Sequence, residues 1–141
     1  MESIDPDIAS SRGVHQDPAL LGLVFVGGCA GTAIRAALED AAPAHGGWPW
    51  ATFLINLVGA FLLAALLEVL GRGPDVGIRR RIRLGVGTGL LGGFTTYSTF
   101  AVEITGLGVA SAIGYAVATV CLGVLAAAAG ALFARRLGER A

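Results

Sequence analysis

Gly92-Gly93-Phe94-Thr95-Thr96-Tyr97-Ser98-Thr99-Phe100 is the stretch on which the fold turns. It lies inside a run, Leu84 to Val102, that holds no charged residue, which suits a helix crossing hydrocarbon. The middle of that run is nonetheless poor helix. The Gly pair weakens it, because glycine loses the most backbone freedom on ordering. Four hydroxyls (Thr95, Thr96, Ser98, Thr99) then alternate with aromatic rings. A carbonyl or N–H freed at membrane depth cannot face lipid; such backbone survives only buried in protein or along a polar path. A helix broken at the midplane and edged with hydroxyls reads as an ion or substrate site.

Working outward, the rest of the chain supports a membrane setting. Its 141 residues have a mean hydropathy of +0.73, and 55% are apolar. Four charge-poor spans, about 19–38, 49–70, 83–105 and 109–134, each reach the ~20 residues that a bilayer core requires. The reading is an all-α membrane protein with four transmembrane helices, the third broken at the midplane. Residues 1–18 are expected to be a disordered cytoplasmic tail, 19–135 the four-helix transmembrane domain, and 136–141 a short cytoplasmic C-terminal tail. The first span is not a signal peptide, since an acidic tail precedes it and three spans follow. Cys29 and Cys121 fall within spans as small packing residues, with no disulfide or metal site expected.

All ten basic residues are arginine, and nine of them (Arg12, Arg72, Arg79, Arg80, Arg81, Arg83, Arg135, Arg136, Arg140) fall on one side of a four-span topology. Only Arg35 falls on the other. The positive-inside rule places both termini in the cytoplasm, and the expected location is the plasma membrane. The Arg79–Arg83 run is then an orientation signal in contact with lipid headgroups, not a nucleic-acid site.

Within the spans, spacing groups the polar and small residues. Gly27, Gly31 and Arg35 share one face of the first helix. Arg35 is either a snorkelling or capping arginine or an attractor of anions. Trp48 and Trp50 read as interfacial anchors for the second span. Asn56 in that span is either interhelical glue or an N–H donor to a passing anion. Glu68, toward the cytoplasmic end, has arginines near it to pair with. Gly85, Gly89 and Gly93 form a groove for another helix, and Glu103 closes the third span near its outer end. Ser111, Tyr115 and Thr119 repeat at intervals of four, giving a polar stripe along the fourth.

No ionisable group lies near the middle of any span. Proton-coupled export usually needs one, and cation pores often use carboxylate rings. Asparagine, hydroxyls and ring edges, which carry the positive end of the aromatic quadrupole, remain. That set favours a small, hard anion that accepts hydrogen bonds. Nothing assembles a nucleophile with a base, so enzyme chemistry is not expected.

Three motifs then resemble the Fluc/CrcB fluoride channel family: Gly27-Gly28-Cys29-Ala30-Gly31 with Arg35, Asn56-Leu57-Val58-Gly59-Ala60-Phe61, and the nine-residue string itself. The resemblance covers nearly all of residues 19–134. It implies an antiparallel, dual-topology-type dimer with two narrow pores through which cytoplasmic fluoride leaves passively. It further implies a structural Na+ at the dimer centre, held by the backbone carbonyls of Gly92 and Thr95. Asn56 would donate to the anion at the vestibule end of the pore. Tyr97 and Phe100 would supply aromatic edges, Ser98, Thr99, Tyr115 and Thr119 hydroxyls, and Arg35 would draw anions to the vestibule.

Two features depart from that family. Tyr97 stands where Phe is typical. Nine arginines against one is a strong bias for a chain that must insert both ways. The expectation is therefore a fixed-orientation subunit, paired either with itself or with an oppositely oriented homologue. The alternatives are a non-conducting or partner-dependent subunit of a heterodimeric channel and, further off, a small multidrug exporter. The exporter reading lacks the membrane-embedded Glu in the first span on which such proteins rely.

Overall fold

The computed structural model describes residues 17–44 and 47–139. The expected N-terminal tail therefore lies outside the described residues, apart from Asp17 and Pro18, as do Arg140 and Ala141. Among the described residues every regular element is helical: α1 (Pro18–Ala41), α2 (Trp50–Leu70), α3 (Gly77–Ile82), a π-helical stretch π1 (Arg83–Leu91), α4 (Gly92–Phe94), α5 (Ser98–Thr105) and α6 (Val109–Gly138). Three of them, α1, α2 and α6, are long and apolar enough to cross a membrane alone. The third crossing is made in pieces, from α3 through α5, and this is the span expected to be broken.

Local chemistry sets the ends. Asp17 Oδ1 accepts the N–H groups of Ala19 (3.0 Å) and Leu20 (3.4 Å), and Pro18 occupies the first turn of α1 where its missing N–H costs nothing. Arg79 reaches back to the carbonyls of Val69 (3.3 Å) and Leu70 (3.1 Å), satisfying the exposed end of α2. Gly77, with φ of +55°, turns the chain into α3. The 24 residues of α1 and 30 of α6 overrun the expected spans. The sixth helix continues to Gly138, so the first half of the expected C-terminal tail, residues 136–138, is helix.

Two helix pairs make up the bundle. α1 lies along π1 and α4, and α2 lies along α6. The first contact is a glycine seam. A methyl group on Gly31 would collide with the Leu90 carbonyl and come within 2.8 Å of Phe94 N. One on Gly89 would meet Val24 O at 2.7 Å, and one on Gly93 would meet Gly28 O at 2.5 Å. Both expected glycine faces therefore meet each other, which permits close backbone approach. In α6, Gly130 sits under the Phe61 carbonyl in the same way.

The π-helical turns were not foreseen. The Gly92 N–H donates to Gly87 O, five residues back, and to Gly89 O. Three glycines in nine residues (Gly85, Gly87, Gly89) leave this stretch with weak preference for the tighter α-turn.

At the arginine-rich end, Arg135 pairs with Glu68 at 3.1 Å, Arg72 donates to the Ala134 carbonyl, and Arg83 pairs with Asp75. The Arg83 guanidinium holds the exposed Asp75 carboxyl below its ordinary range. Cys29 and Cys121 are free and exposed on the helix surfaces, not packed between helices. Trp50 is exposed, as an interfacial anchor should be, but Trp48 turns inward against Phe53 and Tyr115.

Candidate functional site

The break falls at Thr95–Tyr97, between α4 and α5. Thr95 leaves the helical region with φ −75° and ψ 154°. In an unbroken helix the Gly92 carbonyl would receive Thr96 N–H and the Thr95 carbonyl would receive Thr99 N–H. Both donors are diverted. Thr96 N–H goes to Asn56 Oδ1 at 2.8 Å, and Thr99 N–H goes to Thr96 Oγ1 at 3.1 Å. Between these two carbonyls, Gly93 O accepts from Thr32 Oγ1 and from Arg35 Nε, each at 3.4 Å.

Arg35 is held in place from several sides. Its Nη1 pairs with Glu39 at 3.1 Å, one helical turn on, and approaches Thr99 Oγ1 at 3.5 Å. Arg35 spans the break from α1. Asn56 joins α2 to it. Besides accepting Thr96 N–H, it donates Nδ2 to Thr96 O at 3.0 Å, which occupies one of its two N–H groups. The clamp crosses from α2 to the break and fixes where α5 restarts.

Asn56, Thr95, Thr96, Tyr97, Phe100 and Thr119 line an open groove of ≈ 480 Å³, completed by aliphatic residues of α2 and α6. No carboxylate lines it. Phe100 is buried, with its ring 5.9 Å from Tyr97 and 5.2 Å from Tyr115, so the three rings form a continuous row. Tyr97 is 80% exposed at one end of the row and Tyr115 is fully buried at the other. Thr119 Oγ1 is buried with no protein partner. A buried hydroxyl on a groove wall has a proton to offer to whatever enters.

Of the expected hydroxyl stripe on α6, Tyr115 and Thr119 face the interior but Ser111 is exposed. Four residues per turn exceed the helical 3.6, so each step of four drifts around the axis. Tyr115 OH donates to Glu103 Oε2 at 2.8 Å, and Thr52 Oγ1 donates to Glu103 Oε1 at 2.6 Å. Glu103 thus ties α2, α5 and α6 together. It also lines a small pocket of ≈ 90 Å³, with Thr52, Thr99 and Glu39. Thr52 and the bridging role of Glu103 escaped sequence reasoning. The available clues were that Thr52 lies one turn before Asn56 on the same face, and that Glu103 is the one carboxylate in its span.

The structure therefore gathers Arg35, Asn56, Tyr97, Ser98, Thr99, Phe100, Tyr115 and Thr119 around one broken helix. Among the described residues no cluster of three or more His, Cys, Asp or Glu could hold a metal. A small helical membrane protein with a helix broken inside an apolar span and a donor-lined groove has the makings of an ion channel. The chain belongs to the CrcB family: residues 22–131 match the family described as "CrcB-like protein, Camphor Resistance (CrcB)". It is 52% identical over 136 residues to the fluoride-specific ion channel FluC 2 of Leifsonia xyli subsp. xyli, covering 93% of this chain and 94% of that one. It is 42% identical over 121 residues to the fluoride-specific ion channel FluC of Deinococcus radiodurans (79% and 92% covered). Over a shorter 88 residues it is 61% identical to FluC 1 of Cutibacterium acnes (61% and 62% covered).

Proposed function

We propose that this chain is a subunit of a fluoride-specific channel through which cytoplasmic fluoride leaves the cell passively. The observation that carries the reading is the groove wall. It offers an amide, hydroxyls and ring edges, with no carboxylate and no titratable relay at its centre. Such a wall can replace the hydration shell of a small anion and repels neither it nor its charge.

A dimer is the second part of the proposal. The isolated chain presents an 80%-exposed Tyr97 beside the carbonyls of Gly92 and Thr95, whose own helix donors are diverted. Backbone oxygens in that state cannot face hydrocarbon. An antiparallel partner meeting the break with its own would cover both. The two carbonyls also fit a hard monovalent cation, since they are uncharged oxygen donors. A structural Na+ there would supply positive charge to four carbonyl dipoles, two from each subunit. The arginine imbalance favours a fixed orientation with both termini cytoplasmic, and hence an oppositely inserted homologue as partner. Tyr97 makes a partner-dependent pore the second reading.

Fluoride efflux from liposomes, with this chain alone and then with a candidate partner, tests the proposal. Efflux alone supports a homodimer and efflux only with the partner a heterodimer. Absence of fluoride efflux in both, or chloride efflux at an equal rate, rejects fluoride conduction.

A further inference from the structure

A groove of ≈ 780 Å³ runs along the seam between α1 and the third crossing, and it shares no residue with the groove of Asn56 and Thr119. Gly27 and Gly85 lie at its floor, where a methyl on Gly27 would collide with the Gly85 carbonyl. Leu20, Leu23 and Val26 wall it on one side, and Ile78, Val86 and Leu90 on the other. Val26 is 66% exposed and Ile78 68%, so the groove opens sideways at the surface of the bundle. From Asp17 to Ala30 it follows α1 for about 20 Å, at ~1.5 Å per residue. That length matches the ~15 Å of hydrocarbon in one leaflet with the polar level above it. Left empty, such a furrow would forfeit the dispersion contacts of its lining.

One end of the groove is polar. Arg81 and Asp17 are the two charged residues that line it, and both lie at the arginine-rich end of the bundle. The nearby arginines are engaged within the chain: Arg79 donates to the Val69 and Leu70 carbonyls, and Arg83 pairs with Asp75. Arg81 is exposed, and no hydrogen bond or ion pair to it occurs among the described residues. A guanidinium so placed suits a phosphate, which it can meet with two parallel N–H groups. Asp17 Oδ1 caps α1, and its Oδ2 keeps the capacity to accept from a hydroxyl.

The charge around this end selects the headgroup. Among the described residues, Asp17, residues 68–83 and residues 135–139 carry seven arginines and four carboxylates, a net charge of +3. A net anionic lipid is therefore favoured over a zwitterionic one. The Asp17 carboxylate asks in addition for a headgroup that donates, which a bare phosphate monoester does poorly. We propose that this groove binds one phosphatidylglycerol molecule, with an acyl chain between α1 and π1, its phosphodiester on Arg81 and a glycerol hydroxyl donating to Asp17.

The test titrates the purified full chain in detergent with palmitoyl-oleoyl phosphatidylglycerol and with the matching phosphatidylcholine, phosphatidylethanolamine and phosphatidic acid. Thermal midpoint and native mass spectrometry are the readouts. Phosphatidylglycerol should raise the midpoint saturably and persist as one adduct per chain, with the other three binding more weakly. Arg81→Gln should weaken it about 10-fold, the loss of one hydrogen bond to a charged group. Val26→Trp, which fills the groove from its exposed wall, should abolish the adduct. Arg136→Gln removes the same charge from an exposed position outside the groove and should leave the affinity in place. Equal binding of any of the other three lipids overturns the proposal. So does an Arg136→Gln loss as large as that of Arg81→Gln, or an undiminished adduct with Val26→Trp. No readout here uses fluoride flux, so failure of this inference leaves the channel reading standing, and failure of that reading leaves this inference standing.

Discussion

Asn56 of α2 holds both backbone polar groups of Thr96, accepting its N–H at 2.8 Å and donating to its C=O at 3.0 Å. One carboxamide therefore does the work that a continuing helix would have done for that residue. It also diverts the donor that the Gly92 carbonyl would otherwise have received, so the same pair of bonds stabilises the break and frees an oxygen beside it.

Asn56→Leu should strand both groups at membrane depth, where each unsatisfied group costs about 1–3 kcal/mol. The expected result is a lower thermal midpoint in detergent together with loss of fluoride efflux. An unchanged midpoint would mean that the clamp contributes little to holding the break.

Phe100→Ile keeps an apolar side chain beside Tyr115 but removes the ring edge between Tyr97 and Tyr115. Efflux should be abolished while size-exclusion chromatography still shows an intact dimer. Undiminished efflux would remove Phe100 from the pathway.

Tyr115→Phe deletes the hydroxyl that donates to Glu103 at 2.8 Å from a fully buried ring. A hydrogen bond to a charged group predicts a loss of about 1.5–3 kcal/mol, measured as a lowered midpoint. Tyr97→Phe removes a hydroxyl from a side chain that is 80% exposed in the single chain and that a partner would cover. Its efflux reports whether the phenol oxygen obstructs the pore.

Gly31→Ala drives a methyl into the Leu90 carbonyl and the Phe94 N–H of the α1 seam. Backbone cannot yield as a flexible side chain does, so a cost of about 1–3 kcal/mol is expected from overpacking. Gly22→Ala, which meets nothing within 4 Å, should leave the midpoint in place.

Exchanging Na+ for N-methylglucamine should lower the dimer's thermal midpoint, with the shift growing as sodium is depleted, because a ligand bound only to the assembled state stabilises it by mass action. A midpoint independent of sodium would reject the carbonyl site.

What the sequence by itself determined was local chemistry: the four spans, the interruption of the third, and the hydroxyl and aromatic residues gathered around it. Charge-free length, glycine's weak helix preference and side-chain donor capacity are all legible within one or two helical turns. The glycine faces of α1 and π1 were legible for the same reason. Only the tertiary structure decided which partner each polar group takes. Asn56 meets Thr96 across 40 residues, Thr52 meets Glu103 across 51 and Arg35 meets Gly93 across 58. Those pairings depend on how far one helix slides along another, which is set by where backbone can approach backbone at Gly31, Gly89, Gly93 and Gly130. No spacing within a single span encodes that offset. Glu103 therefore read as a terminal carboxylate until packing carried Thr52 and Tyr115 to its two oxygens, and Thr96 read as one hydroxyl among four until its neighbours closed around it.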